Sequence, residues 1–475
     1  MDAYAEFEQA TIAAIATPPG PGGIGIIRVS GPAAPAVLTR LFRPAKPAAH
    51  PAPIPSHRLR YGWIIDPGSG HPLDEVMAVY MAAPATYTRE EVVEIHCHGG
   101  YVVLREILAL ILAMEGVRAA EPGEFTKRAF LNGRIDLTRA EAVLDLLNAE
   151  TRQGLNLAIS QLSGGLQQQL AGVRDALLAI LAVLEVAIDF PDEDGEIIDH
   201  RQLHRQLAEG VNAPLAALLA GRARGRIFRE GAAVVILGRP NVGKSSLLNA
   251  LLREERAIVT AIPGTTRDTI EEGLNIHGVP VRIVDTAGIR ESSEQVEEIG
   301  IRRSRSLGER ADLVLLLLDA AAGVTAEDLA LYESVREKNL LLVVNKVDLP
   351  EVAGGLAAQG TTPWAGDFPE RPLVAISART GQGLAALEDA VFQALTGGKP
   401  LDPGYACVPN ARHEAALVKA LEGAERVAAG LQNSLAPELM AVEVQGVLGQ
   451  LGEISGETSG DDVLDAIFSR FCIGK

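Results

Sequence analysis

Cysteine is scarce in this chain of 475 residues: Cys97, Cys407 and Cys472 are the whole complement. Three scattered thiols build no disulfide framework, and with no signal peptide they lead us to expect a reducing, cytoplasmic setting. Long apolar runs are missing too. The longest apolar stretch in a helical context, Ala176 to Leu184, is well short of the ~20 residues that cross a bilayer, so no membrane insertion is expected. Excess positive charge is also absent. Lys and Arg number 43 against 61 Asp and Glu, giving a net charge of −18 and a pI near 5.0. Such a surface does not coat nucleic acid, so an RNA partner needs a local basic patch or a second protein. Hydrophobic residues, at 47%, are ample for packed cores. A prior of about 150 residues per domain gives roughly three domains.

What is present centres on Gly238-Arg239-Pro240-Asn241-Val242-Gly243-Lys244-Ser245-Ser246, which fits G-x-x-x-x-G-K-[S/T]. The apolar run Ala232–Leu237 before it reads as a buried strand, and Ser246–Leu252 after it as a helix. Strand, Gly-rich turn and helix N-terminus form a phosphate cradle in which backbone N–H groups and the helix dipole face the anion. Lys244 is placed to reach the β- and γ-phosphates, and the Ser245 hydroxyl to ligate Mg²⁺.

Three later motifs decide metal, base and fold. The strand Val281–Val284 leads into Asp285-Thr286-Ala287-Gly288, an acid for Mg²⁺ through water and a glycine N–H for the γ-phosphate. The run Leu340–Val344 leads into Asn345-Lys346-Val347-Asp348, whose Asp accepts from guanine N1–H and the exocyclic amine, a donor pair adenine lacks. Val374–Ile376 leads into Ser377-Ala378-Arg379, whose backbone meets the guanine oxygen. This order, each motif at a strand's C-terminal end, resembles a Ras-like GTPase of the translation-factor type, with a mostly parallel sheet between helices. Switch I reads Thr260-Ala261-Ile262-Pro263-Gly264-Thr265-Thr266, with Thr266 the expected γ-phosphate and Mg²⁺ ligand. Ile289 stands where Ras-type enzymes place the water-orienting glutamine. An isoleucine cannot orient water, so another group must. Asn241 is a suitable oxygen ligand for a monovalent cation set between the β- and γ-phosphates.

The rest of the chain reads as an N-terminal mixed α/β region (1–123), a helical region (124–230), the GTPase domain (231–397) inserted into it, and a second helical part (398–475). Strands are expected at Ile24–Val29, Met77–Met81 and Val92–Ile95, and a helix over Tyr101–Met114. Thr138-Arg139-Ala140-Glu141 has the form of a capping box, opening a helix that turns Val143, Leu146 and Leu147 inward. Leu166, Leu170, Val173, Leu177, Leu181 and Leu184 recur at helical spacing and predict a long bundle helix. His96-Cys97-His98-Gly99-Gly100 reads as a polar turn in preference to a metal site. Asp189 to Asp199, with six carboxylates, reads as a solvated loop.

Four stretches carry a resemblance over the full length. They are Thr17-Pro18-Pro19-Gly20 through Arg28, Glu91–Ile95 with His98-Gly99-Gly100, Pro122-Gly123-Glu124-Phe125 through Arg134, and the terminal Phe471-Cys472-Ile473-Gly474-Lys475. With the GTPase motifs they resemble the MnmE (TrmE) family of tRNA modification GTPases, within the TrmE-Era-EngA-like group. The resemblance implies a homodimer that works with a flavoprotein, MnmG (GidA), as a heterotetramer, FAD residing only in the partner. The pair adds an aminomethyl or carboxymethylaminomethyl group to C5 of the wobble uridine in certain tRNAs. It further implies a 5-formyl- or methylene-tetrahydrofolate held by Arg28, Glu94, Arg134 and Lys475. K⁺ is then held by Asn241, Thr260, Ile262 and Thr265, Glu297 positions the attacking water, and G-domain dimerisation drives the cycle. Cys472 matches the family's terminal cysteine, for packing or for chemistry. A ribosome-assembly GTPase would need a KH module or a second phosphate loop, and a membrane remodeller a basic amphipathic helix; neither is found.

Overall fold

The computed structural model describes residues 10–18, 20–46, 54–190, 198–253, 257–258, 271–285, 311–349, 368, 371–400, 407–458 and 460–475. The chain divides into two compact units, Met1–Leu144 with Leu448–Lys475, and Asp145–Val447.

In the first unit the strands are β1 (Thr11–Ile15), β2 (Gly22–Ser30), β3 (Phe42–Pro44), β4 (Arg60–Ile65), β5 (Pro72–Met81), β6 (Val92–Gly99) and β7 (Val117–Ala119). They form one sheet in the order β3-β4-β5-β6-β2-β1-β7, antiparallel except where β1 meets β7. Side chains alternate across it, as the two-residue period of a strand requires. Ile27, Val29, Ile64, Val76 and Ile95 are buried under α1 (Ala34–Leu41) and α2 (Tyr101–Leu112). Arg28, Glu94 and His96 alternate with them and are only half-buried.

The His96-Cys97-His98 cluster belongs to β6 and is not a turn. Cys97 points to the packed face, 3% exposed, and its thiol donates to the Gly25 carbonyl at 3.3 Å. The two histidines take the other face, and His98 Nδ1 pairs with Asp74 at 2.7 Å. No group of three or more potential metal ligands occurs among the described residues.

After α3 (Glu124–Leu131) comes α4 (Leu137–Leu147). Its start is fixed by Asp136, whose carboxylate accepts from the Arg139 N–H at 3.0 Å, and not by Thr138, which lies fully buried within the helix. Leu147 is 46% exposed and does not turn inward. Leu137 and Ala140 pack instead with Leu464, Phe468 and Phe471 from the C-terminal helix Asp461–Phe468 and the residues after it.

The second unit holds α5 (Arg152–Leu162), α6 (Gly165–Asp189), α7 (His200–Leu207) and α8 (Ala213–Glu230) before its sheet. All five leucines and the valine of the predicted seam are buried along α6. The sheet comprises β8 (Ala232–Leu237), β9 (Ala257–Ile258), β10 (Glu271–Ile276), β11 (Val279–Asp285), β12 (Leu313–Asp319), β13 (Leu340–Asn345) and β14 (Leu373–Ala375). Its order is β14-β13-β12-β8-β11-β10-β9, parallel from β14 to β11. β12 and β13 are apolar without alternation because helices cover both faces of a parallel sheet. Between and after these strands lie α9 (Lys244–Arg253), α10 (Ala326–Val335), α11 (Leu384–Thr396) and α12 (Ala411–Gln432).

Arginines of α8 fasten the two chain segments that lead into and out of this sheet. Arg222, 7% exposed, donates to the Pro409 carbonyl at 3.0 Å and to Glu414 at 2.5 Å. Arg226 meets Asp312 at the base of β12 at 2.6 Å, and Asp312 in turn accepts from the Ala233 N–H at the start of β8. No helix among the described residues is long and apolar enough to cross a membrane.

Candidate nucleotide site and the Arg28 cluster

β8 is the point from which the parallel sheet is extended in both directions, by β12 on one side and β11 on the other. A crevice opens at the C-terminal ends of strands at such a reversal, and ligands of α/β sheets bind there. The chain leaves β8 through Gly238, at φ +153°, where a Cβ would lie 2.6 Å from the Leu317 carbonyl. Gly243, at φ +104°, has no room for a Cβ against Asn345 Nδ2. Asn241 at the loop tip takes the left-handed conformation, φ 64°, with its side chain exposed. The loop thus lies tight against β12 and β13 and delivers the chain into α9, whose first-turn N–H groups have no intrahelical acceptor. Lys244 Nζ bridges the Gly238 and Arg239 carbonyls at 2.7 and 2.8 Å. Ser245 and Ser246 are exposed beside it. Converging N–H groups, a helix N-terminus and an ammonium make a site for a polyphosphate.

A second loop cluster stands next to it. Asn345 is 2% exposed, donates to the Val242 carbonyl at 2.9 Å and accepts from the Ala378 N–H at 3.0 Å. Ser377, fully buried, donates from its hydroxyl to Asp348 at 2.7 Å and accepts from the Thr380 N–H at 3.2 Å. Val347 N–H donates to the Ile376 carbonyl at 3.2 Å. The Asn-Lys-Val-Asp and Ser-Ala-Arg segments are therefore cross-braced to one another and to the phosphate loop. Asp348 keeps acceptor capacity for a base with paired N–H donors.

Sequence reasoning passed over Asp319. It accepts from Lys346 Nζ at 2.6 Å, while Lys346 itself holds a strained φ of 70°. Burial opposes the ionisation of Asp319, but the Lys346 ammonium and the Ala321 N–H outweigh it and hold its pKa below the usual value. A signal existed: Asp319 ends a buried apolar strand, as Asp285 does. Thr260, Ala261, Ile262, Pro263, Gly264, Thr265, Thr266, Thr286, Ala287, Gly288 and Glu297 lie outside the described residues, as does the side chain of Asp285.

In the first unit Arg28 Nε bonds Glu94 at 2.8 Å, and the guanidinium carbon lies 5.7 Å from the Phe125 ring centroid. The C-terminal segment packs back onto this place. Arg28 Nη1 donates to the Gly474 carbonyl at 3.4 Å, and Phe125 N–H to the Lys475 backbone oxygen at 3.2 Å. The Cys472 carbonyl accepts from the Gly123 N–H at 3.5 Å, and its side chain is exposed. Arg28, Glu94 and Lys475 are thus brought together. Arg134 has another setting: it donates to the Tyr87 carbonyl at 3.0 Å and stacks 4.8 Å from that ring's centroid.

A phosphate loop, a guanine-type base cluster and a parallel sheet reversed around β8 define a P-loop GTPase, and the protein is an enzyme that hydrolyses GTP. Two family models match the chain: the GTP-binding protein TrmE N-terminus over residues 11–134 and the MnmE helical domain over residues 137–472. The tRNA modification GTPase MnmE of Desulfotalea psychrophila is 50% identical over 476 residues, covering 99% of each chain. That of Geotalea uraniireducens is 46% identical, covering 99% of this chain and 100% of the relative. The Era protein of Aquifex aeolicus, as a solved structure, is 28% identical with a TM-score of 0.28, covering 40% of this chain and 66% of that one. The chain belongs to the MnmE family of tRNA modification GTPases.

Proposed function

We propose that GTP hydrolysis in this protein drives the addition of an aminomethyl or carboxymethylaminomethyl group to C5 of the wobble uridine of certain tRNAs. The observation that carries this reading is the likeness to MnmE proteins over 99% of the chain, which includes the N-terminal and C-terminal segments as well as the GTPase domain. In this reading the protein is a cytoplasmic homodimer that pairs with the flavoprotein MnmG, and the flavin belongs to that partner.

Within the cycle, Lys244 leaves the Gly238 and Arg239 carbonyls for the β/γ-phosphates, and the loop N–H groups from Asn241 to Ser246 replace phosphate hydration. Ser245 and Thr266 hold Mg²⁺. Asn241, with Thr260, Ile262 and Thr265, holds K⁺ where a finger arginine would otherwise place charge; its exposed side chain at the loop tip fits this role. Glu297 orients the water, since Ile289 cannot.

Arg28, Glu94 and Lys475, with Arg134, hold the tetrahydrofolate. The half-buried Arg28–Glu94 pair offers both signs of charge, a donor for pterin or glutamyl oxygens and an acceptor for pterin N–H groups. The folate supplies a one-carbon unit when bound. Equilibrium dialysis with 5-formyl-tetrahydrofolate tests this part: Arg28→Ala loses binding while GTP affinity stays unchanged. Hydrolysis rates in matched K⁺ and Na⁺ buffers test the cation; equal rates would reject it.

A further inference from the structure

The phosphate loop is anchored from outside the nucleotide motifs. Arg239, the second residue of the loop, reaches with its side chain to Asp328, with Nε to Oδ1 at 2.9 Å. Asp328 is fully buried and stands in the first turn of α10. Its other oxygen accepts from the Thr325 N–H at 3.0 Å and the Thr325 hydroxyl at 2.8 Å, closing a capping box. A carboxylate buried this fully needs a cation, and Arg239 supplies it. The same residue presents its backbone carbonyl to Lys244 at 2.8 Å. The Arg239 side chain therefore fixes the peptide on which the phosphate-binding lysine rests. The far end of the loop is fixed separately, by Asn345 on the Val242 carbonyl.

We propose that Asp328 is a positioning residue of the GTPase site. Through Arg239 it holds the first half of the phosphate loop in the shape that presents its N–H groups and Lys244 to the nucleotide. α10 thus contributes to GTP affinity without touching GTP. A two-point anchorage matters because loop N–H groups aimed in advance spend no binding energy on being ordered.

The test is a set of variants of the full-length protein, read by equilibrium binding of fluorescent GDP and GTP analogues and by thermal unfolding. Asp328→Asn keeps an acceptor for the cap and removes the charge that holds Arg239. Arg239→Ala removes the other partner. Thr325→Ala weakens the cap and leaves the Arg239–Asp328 pair in place. The expected result is about a tenfold rise in Kd for both nucleotides in Asp328→Asn and in Arg239→Ala, with the double variant no worse than either single one. Thr325→Ala is expected to lower the unfolding temperature and leave Kd within twofold of the parent. Two results would overturn the proposal. One is a Kd within twofold of the parent in Asp328→Asn. The other is an equal rise in Thr325→Ala, which would make Asp328 a helix cap alone.

Discussion

Asn345 Nδ2 donates to the carbonyl of Val242 at 2.9 Å, so the residue that opens the base-reading motif also holds the phosphate loop. Its Oδ1 takes the Ala378 N–H at 3.0 Å, and with 2% exposure neither bond is shared with bulk water. One side chain ties three of the GTP-binding segments together. Asn345→Ala leaves a buried carbonyl and a buried N–H unpaired, at about 1–3 kcal/mol each. GTP and GDP affinities are expected to fall by roughly tenfold or more, with a lower unfolding midpoint, in nucleotide titration and urea denaturation. Unchanged affinity would mean that the loop holds its shape without this bond.

Gly243 tests the same packing from the other side. A methyl group at this position collides with Asn345 Nδ2, and the φ of +104° is one that a side chain makes costly, by about 1–3 kcal/mol. Gly243→Ala is expected to abolish measurable GTP binding while far-UV circular dichroism is retained. Nucleotide binding at the parent level would contradict the placement of the loop.

Acid stability has a named source in the N-terminal sheet unit. Burial of Glu124, 6% exposed, opposes its ionisation. Arg118 at 2.8 Å, the Glu121 N–H at 2.8 Å and Arg128 at 3.0 Å outweigh burial and hold its pKa below the usual range of a glutamate. A carboxyl with a depressed folded pKa stabilises the protein above its unfolded pKa, and that contribution fades as pH falls through the folded value. Stability is thus expected to hold above about pH 4.5 and to drop below it. Glu124→Gln is expected to cost about 1–3 kcal/mol at pH 7 and to flatten the acid limb, measured by denaturant unfolding across pH. An acid limb as steep in the variant as in the parent would reject Glu124 as its source.

The three thiols separate by burial. Burial pushes Cys97 and Cys407 up to about 11, whereas Cys472 is exposed. Thiolate is the reactive form. One fast-reacting thiol is therefore expected with a disulfide reagent at pH 8, and Cys472→Ser is expected to remove it. Fast labelling of a second cysteine would contradict the packing of Cys97 under α2 or of Cys407 near α6.

The phosphate loop and the Asn345–Asp348 and Ser377–Arg379 segments that brace it were legible in the sequence because their parts are local. A buried apolar run, a Gly-rich turn and a helix start are contiguous around Gly238, and the later motifs each follow a strand. Short-range patterns misled at two places. His96 to His98 has turn-like polarity, yet the two-residue period puts Cys97 inside and both histidines outside β6. Thr138 matches a capping pattern, but Asp136, two residues earlier, makes the cap and pulls Thr138 inside the helix. Asp319, Asp328 and the arginines of α8 were not legible as partners, since their meaning arises only when the sheet brings distant segments together.

The most direct measurement of the central claim is nucleoside mass spectrometry of total tRNA from cells lacking this gene, complemented with the parent or with Lys244→Ala. The account predicts loss of 5-aminomethyl-type wobble uridines on deletion, recovery with the parent chain and no recovery with Lys244→Ala. An unchanged nucleoside profile on deletion, or full recovery with Lys244→Ala, would contradict it.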